Sequence, residues 1–189
     1  MTIILASASP RRQELLRQVG CEFTVMLSHI VEDNNLDVLP QELAILHAKE
    51  KALDVAARVG ANDVVIGADT IVVLNGRVYG KPVDEKDARN ILTALAGKEH
   101  QVMTGIAVAK AGKLWTDVVI TRVKIGKLEP EEIESYLATG EPMDKAGAYG
   151  IQGIGALLVE NIQGCYTNVV GLPLKKTAEL LKKAGISLL

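Results

Sequence analysis

Residues 5–12 read Leu5-Ala6-Ser7-Ala8-Ser9-Pro10-Arg11-Arg12, and they join two kinds of chain. Before them, Ile3-Ile4-Leu5 is a short apolar run that suits a buried strand. After them, Leu15, Leu16 and Val19 have helical spacing, and Gly20 stands where a glycine ends a helix. Ser9 suits the N-cap and Pro10 the first helical position. The two arginines do not fit a helix built only for stability. They fall in the first turn, where the helix dipole is already positive and acidic residues are preferred. Unpaired N–H groups, two hydroxyls and two guanidinium groups at one helix start are suited to a polyanion. The plainer alternative is a solvated arginine pair on a capped helix.

Outward from this junction, Glu22–Ser28 reads as a second strand, and 30–39 is polar and irregular, with Glu32, Asp33 and Asp37 close together. Pro40 opens a long helical pattern closed by Gly60. Asp63–Asp69 is a buried-strand pattern ending in Gly67-Ala68-Asp69-Thr70; Ile71–Leu74 continues it, and Asn75-Gly76 is a hairpin signal. Asp84 caps a helix with Ala88, Ile91, Leu92 and Leu95 on its apolar face. Glu99–Lys110 and Lys113–Lys124 form a hairpin about Ala111-Gly112, and Leu128–Ala138 is helical. Ala156–Glu160 reads as a strand, Gly164–Asn168 as a loop and Pro173–Ala184 as a final amphipathic helix. Strand–helix units followed by antiparallel pairs predict an α/β fold with a mixed, twisted sheet and flanking helices.

Composition narrows the function. With 189 residues, 48% hydrophobic, the chain is long enough for one domain with a real core, and two lobes around a cleft fit this length. The net charge of −2 provides no global field for duplex nucleic acid or a membrane surface, so a polyanion must meet a local cluster. Aromatic residues at 3% argue against a stacking platform for single strands. Cys21 and Cys165 show no CxxC spacing and read as two buried free thiols in a reducing compartment, with a disulfide as the alternative. No run approaches a membrane span, and no signal-peptide pattern opens the chain. A soluble cytoplasmic protein is expected.

The reactive candidates are few. Asp69, read as ending an apolar strand, lies where α/β proteins place reactive groups, and Glu32 lies in the irregular segment. Two such carboxylates suit a hard divalent cation that keeps waters and substrate phosphates. Each also has a plainer reading, as a turn-capping aspartate and a solvated loop acid. The basic candidates are Arg11, Arg12, Lys49, Lys51 and Lys81. Lys49 and Lys51 lie roughly 200° apart around a helix, so at most one points into a given cleft. Lys81 sits in a Gly-Lys-Pro turn and is otherwise an ordinary surface lysine. His29, His47 and His100 lack metal-ligand spacing and read as structural or surface residues. There is no Walker A sequence, GxSxG elbow or HExxH.

The chain resembles the Maf family of nucleoside triphosphate pyrophosphatases. The matching segments are Leu5–Arg12 with Glu14-Leu15-Leu16, Glu32, Lys51-Ala52, Gly67–Thr70 and Gly80-Lys81-Pro82 with Asp84 and Ala88. They continue with Leu95-Ala96-Gly97, His100, Val102, Thr104-Gly105, Asp144–Gly153 and Asn168–Pro173. Ala96 stands where members often carry Ser, and Met143 lies in a variable region. The resemblance implies a two-lobed α/β fold related to inosine triphosphatases, with the site between lobes. It implies cleavage between the α and β phosphates of a nucleoside triphosphate, a nucleotide-pool housecleaning activity. The DKAGAYGIQG form at 144–153 resembles the branch acting on dTTP and UTP, with modified pyrimidine nucleotides as further candidates; the 7-methyl-GTP branch differs in this stretch.

By this resemblance Asp69 is the catalytic carboxylate that accepts a proton, Lys81 is a second catalytic position, and Glu32 is an acid near the metal. Ser7, Arg11, Arg12, Lys51 and Lys81 are phosphate contacts. Arg12, Thr70 and Gln152 are the positions that separate substrate classes. Magnesium or manganese is the expected cation, bridging phosphate oxygens to Asp69 and Glu32, and a homodimer is a family expectation. A different class of function, a nucleotide-binding regulator of cell division and septum formation with little turnover, is also associated with the family. Asp69 with Glu32 distinguishes the two, because holding a polyanion does not require two acids beside it.

Overall fold

The computed structural model describes residues 1–34 and 36–189. Strand β1 (Ile3–Leu5) leads into helix α1 (Pro10–Gln18). The helix starts as its sequence requires: the Ser9 hydroxyl accepts from the Arg12 N–H, and Pro10 fills the first turn. Gly20 ends the turn in the left-handed region, at φ 69°. Strand β2 (Thr24–Val25) is shorter than the expected Glu22–Ser28, because its neighbour β1 has only three residues to pair with. Helix α2 (Pro40–Ala56) then crosses to β3 (Val64–Leu74), which lies parallel to β1 on its other side. Among the described residues of 26–39 there is no helix or strand; Asn35 lies outside the described residues.

Asn75 and Gly76, both at positive φ, turn the chain into β4 (Arg77–Tyr79). Helix α3 (Glu85–Leu95) is capped by the Asp84 carboxylate and buries Ala88, Ile91, Leu92 and Leu95. Ala111-Gly112 joins β5 (Glu99–Lys110) to β6 (Lys113–Ile125), followed by α4 (Pro130–Leu137). Strand β7 (Val159–Gln163) starts three residues later than the expected Ala156–Glu160. Residues Gly153–Leu158 are wound instead into 3-10 turns, held by the Glu141 carboxylate, which accepts from the Ile154 and Gly155 N–H groups. The expected loop Gly164–Asn168 holds the start of a short helix, α5 (Tyr166–Val170), pinned by Asn168, whose amide donates to the Val102 carbonyl and the Thr121 hydroxyl. Helix α6 (Leu174–Lys183) closes the chain. The strand order is β2-β1-β3-β5-β6-β7, with β4 also on β3; β1 is parallel to both neighbours and the remaining pairs are antiparallel. This is the mixed α/β sheet with flanking helices that was expected. Cys21 and Cys165 are free; Cys21 is buried as expected, whereas Cys165, at the start of α5, is only half-buried, and no helix among the described residues is long and apolar enough to cross a membrane.

Two features of this sheet position the site. The first is how closely α2 lies on it. A Cβ at Gly67 would stand 2.2 Å from the Ala48 carbonyl oxygen, and one at Gly105 would stand 2.1 Å from that of Ala44. Only glycine leaves room for backbone at that distance, and Ala44, Ala48 and Ala52 keep the facing side of the helix flat. The second is a gap along one edge of β3. β1 pairs with Val64–Ile66 and β4 with Val72–Leu74. Between them, residues 67–71 have no strand on that edge among the described residues. The opposite edge is fully paired with β5, Asp69 facing Gly105. Asp69 therefore does not end a strand, as its sequence suggested. It sits inside an eleven-residue strand, at the centre of an open edge created because β1 stops at Leu5.

The face of the sheet away from α2 carries two apolar clusters. One gathers α1 and α6 around Leu5, Ile66, Ala68 and Ile106; the other gathers α3 and α4 around Val72, Leu74, Val102 and Val123. Thr70 lies on β3 where the first gives way to the second. His100 is buried beside the second, its Nε2 2.7 Å from the Tyr149 hydroxyl and its Nδ1 without a protein partner among the described residues. Burial pushes the imidazole down to about 4. The folded protein thus excludes a proton that the unfolded chain binds below about 6.5. The contribution of this group is full above that pH and is lost as pH falls toward 4, on the order of 3 kcal/mol in all. His100→Phe should flatten the decline in thermal stability between pH 7 and pH 4.5 relative to wild type; an unchanged decline would show that His100 is not its source.

Candidate active site

Asp69 projects from β3 toward α2, on the same face as Gly67. It is 5% exposed. α2 brings two side chains to it from positions one turn apart, His47 and Lys51. The Lys51 ammonium donates to Asp69 Oδ1 at 2.7 Å and to the Ala68 carbonyl at 3.4 Å, and it also pairs with Glu32. Lys49 is exposed, as the helical geometry demands. His47 Nδ1 lies 3.3 Å from Asp69 Oδ2, and its Nε2 lies 3.3 Å from the Asp33 carbonyl oxygen. Both ring nitrogens thus face acceptors, which favours the doubly protonated ring. The hydrogen bond to Asp69 raises the His47 pKa despite burial. For Asp69, burial alone would favour the neutral acid, but the His47 hydrogen bond and the charges of Lys51 and Arg12 outweigh it. The carboxyl is held well below the usual carboxylate range. Asp69 is therefore a buried, fully ionised carboxylate.

His47 is the residue that the sequence reading missed. Like His29 and His100 it lacks metal-ligand spacing, which reads as a structural or surface histidine. Its i,i+4 relation to Lys51, on a helix with alanines at 44, 48 and 52, places it on the same inward face. One ligand atom each from Glu32, His47 and Asp69 lie within 4.8 Å of one another, so the three could hold a metal ion. The donor set, two carboxylates and an imidazole, fits a divalent cation that accepts oxygen and nitrogen ligands. Lys51, which bridges Glu32 and Asp69, would have to yield to it, and His47 would have to lose a proton.

The helix start at Ser9 supplies the opposite wall. Arg12 is buried, and three of its five N–H groups are committed to protein acceptors. Nε donates to the Gly171 carbonyl at 2.8 Å, Nη1 to the Ser7 hydroxyl at 3.0 Å and Nη2 to the Thr70 hydroxyl at 3.0 Å. Thr70 is in turn 2.9 Å from the Thr104 hydroxyl, which donates to the Asn168 carbonyl. The Thr70 hydroxyl thus helps hold the Arg12 guanidinium in place. Burial lowers the Arg12 pKa, with Asp69 and Glu32 opposing the shift; a guanidinium remains charged. Arg11 reaches out to Asp144, Nη1 to Oδ2 at 3.0 Å, a contact that ties α1 to the segment 141–152.

That segment is fixed from behind. The Glu141 carboxylate accepts from the Tyr136 hydroxyl at 2.9 Å, as well as from Ile154 and Gly155. The Gly147 N–H donates to the Gly80 carbonyl at 3.0 Å, which sets the Gly80-Lys81 turn beside it. Lys81 is exposed and has no ion-pair partner among the described residues. Gln152 is half-buried, and its side-chain amide makes no hydrogen bond within the described residues.

A single cavity of about 610 Å³ is lined by Ser7, Arg11, Arg12, Glu32, Lys51, Asp69, Thr70, Lys81 and Gln152. Every site candidate named by resemblance faces the same space, although the residues come from six separate stretches of chain. The space has an acidic pair bridged by one lysine, further cations around it and an unengaged amide.

Related proteins match the chain over almost its whole length. A protein of Acetivibrio thermocellus named dTTP/UTP pyrophosphatase is 50% identical over 195 residues, covering 99% of this chain and 97% of its own. A Dictyoglomus thermophilum protein of the same name is 50% identical over 190 residues, covering 99% and 98%. The solved structure of the Staphylococcus aureus Ham1 protein is similar with a TM-score of 0.46 at 16% identity, covering 84% of this chain and 80% of that one. The family profile described as Maf, Maf-like protein, matches residues 2–184. With near-complete coverage by that profile and by relatives at half identity, the chain belongs to the Maf family.

Proposed function

We propose that the protein hydrolyses dTTP and UTP, and related modified pyrimidine nucleotides, to the nucleoside monophosphate and pyrophosphate, acting in the cleft between two lobes of one domain. The observation that carries this reading is Asp69, a buried carboxylate kept ionised by His47, Lys51 and Arg12 in a cavity that Arg11 and Lys81 also line. A site that only held a polyanion would gain nothing from an acid there. The names of the half-identical relatives supply the substrate class.

In this reading the triphosphate, with about four negative charges, is held by Arg11, Lys51, Lys81 and the N–H groups not committed to protein on Arg12. Ser7 orients Arg12 and presents its hydroxyl to the phosphates. Asp69 aligns the attacking water and accepts a hydrogen from it as the water oxygen bonds to the α phosphorus. The bond from that phosphorus to the bridging oxygen breaks, and pyrophosphate leaves with the bond's electron pair. Glu32 and Asp69, with His47, would hold magnesium or manganese. When bound there, such an ion lowers the pKa of a bound water and neutralises phosphate charge. Gln152 offers a donor and an acceptor to the base. Charge developing on the leaving group falls among Arg11, Arg12 and Lys81, of which Arg12 is already fixed by its protein acceptors.

The test is pyrophosphate release from dTTP, UTP, dCTP, ATP and GTP, with magnesium, manganese or a chelator. The expected result is metal-dependent release of pyrophosphate, strongest with dTTP and UTP. Equal activity on all five, release of orthophosphate alone, or nucleotide binding without turnover would overturn the reading.

A further inference from the structure

Gln152 cannot by itself distinguish uracil or thymine from cytosine. The keto bases present N3–H and a carbonyl oxygen where cytosine presents a bare N3 and an amino group. A glutamine amide matches either pattern by turning through 180°. A choice between them needs a group that cannot reverse its polarity.

Lys145 is such a group. It lines the same cavity, its side chain is 11% exposed, and its ammonium is fixed by two acceptors. Nζ donates to the Glu141 carbonyl at 2.6 Å and to Asp144 Oδ1 at 2.8 Å. The other Asp144 oxygen holds Arg11, so that carboxylate is engaged on both sides. An ammonium has three N–H bonds, which leaves one for a ligand. The lysine stem lies against Gly150: a Cβ built there would be 2.7 Å from Lys145 Cε and 3.4 Å from the Gln152 carbonyl oxygen. Gly150 therefore leaves space for the lysine directly beside the backbone of Gln152.

We propose that Lys145 is a specificity-determining residue, whose ammonium donates to a carbonyl oxygen of a keto pyrimidine and rejects a base that presents an exocyclic amino group at that point. This rests on the proposed function, in which the base meets Gln152. An ammonium only donates, so a carbonyl satisfies it, while an amino group opposes two donors and leaves the cation without its third partner.

The experiment compares kcat/KM for dTTP and dCTP in the wild type, Lys145→Met, Lys145→Gln and Lys145→Arg, with thermal melting of each. Both neutral variants should cut the preference for dTTP over dCTP by at least about tenfold, mainly through KM, and Lys145→Arg should largely keep it. Lys145→Gln retains a donor toward Glu141, so it reports on specificity even where the methionine variant folds poorly. An unchanged ratio overturns the proposal. So does an equal loss on both nucleotides accompanied by weaker inhibition by inorganic tripolyphosphate, the result for a phosphate contact. Failure of the wild type to release pyrophosphate from dTTP would instead overturn the reading on which the proposal rests, and the proposal with it.

Discussion

Asp69→Asn should give a folded protein whose pyrophosphate release from dTTP is slowed by about 10³-fold or more. The substitution keeps the shape of the side chain and removes its charge. In the wild type that charge is surrounded by Lys51 at 2.7 Å, His47 at 3.3 Å and the guanidinium of Arg12. An amide offers the attacking water no comparable acceptor. It also leaves Lys51 with Glu32 as its only carboxylate, which draws the ammonium away from the strand. Thermal stability should fall modestly, because His47 can shed its proton while Lys51 retains Glu32. Circular dichroism and melting separate loss of chemistry from loss of fold. Turnover near that of the wild type would remove Asp69 from the mechanism.

Gly105→Ala should be among the most destabilising single substitutions available in the chain, by about 3 kcal/mol or more. The added methyl would fall 2.1 Å from the Ala44 carbonyl oxygen and 2.6 Å from the Ile45 nitrogen, both backbone atoms of α2. No rotamer change relieves this contact, so the helix must lift from the sheet. For a chain of this length that stability loss corresponds to a fall in Tm on the order of 10 °C. Activity should fall with it, because Lys51 and His47 reach Asp69 only from a helix seated this close. Melting and steady-state kinetics on the same preparation check both effects. An unchanged Tm would mean that the close packing of α2 is not what holds the site together.

Local signals were the most legible in the sequence. Ser9 and Pro10 define the start of α1 through contacts within four residues, and the spacing of Ala88, Ile91, Leu92 and Leu95 defines the buried face of α3. The pairs Asn75-Gly76 and Ala111-Gly112 turn where their backbone freedom predicts. The misreadings share a nonlocal cause. Asp69 looked like the end of a strand because a polar pair interrupts an apolar run. The interruption instead marks the open edge left when β1 stops at Leu5, and that depends on a strand some sixty residues away. The turns at Gly153–Leu158 depend on the Glu141 carboxylate, and α5 depends on Asn168 reaching Val102 and Thr121. His47 is legible from its helical spacing to Lys51, although it stands in no metal-ligand spacing to another histidine.

The commitments of Arg12 bear on the two roles the resemblance implies for it, contacting phosphate and separating substrate classes. Its guanidinium is locked to Gly171, Ser7 and Thr70, so its remaining donors point from a fixed frame. A substitution at Thr70 would act by loosening that frame, even though the threonine hydroxyl is already spent on protein partners.

Hydrolysis of dTTP in ¹⁸O-labelled water, with the products resolved by mass, is the most direct test of the central claim. Attack at the α phosphorus by a water aligned on Asp69 predicts the label in dTMP and none in pyrophosphate. Label in the pyrophosphate, or orthophosphate as the first product, would contradict it.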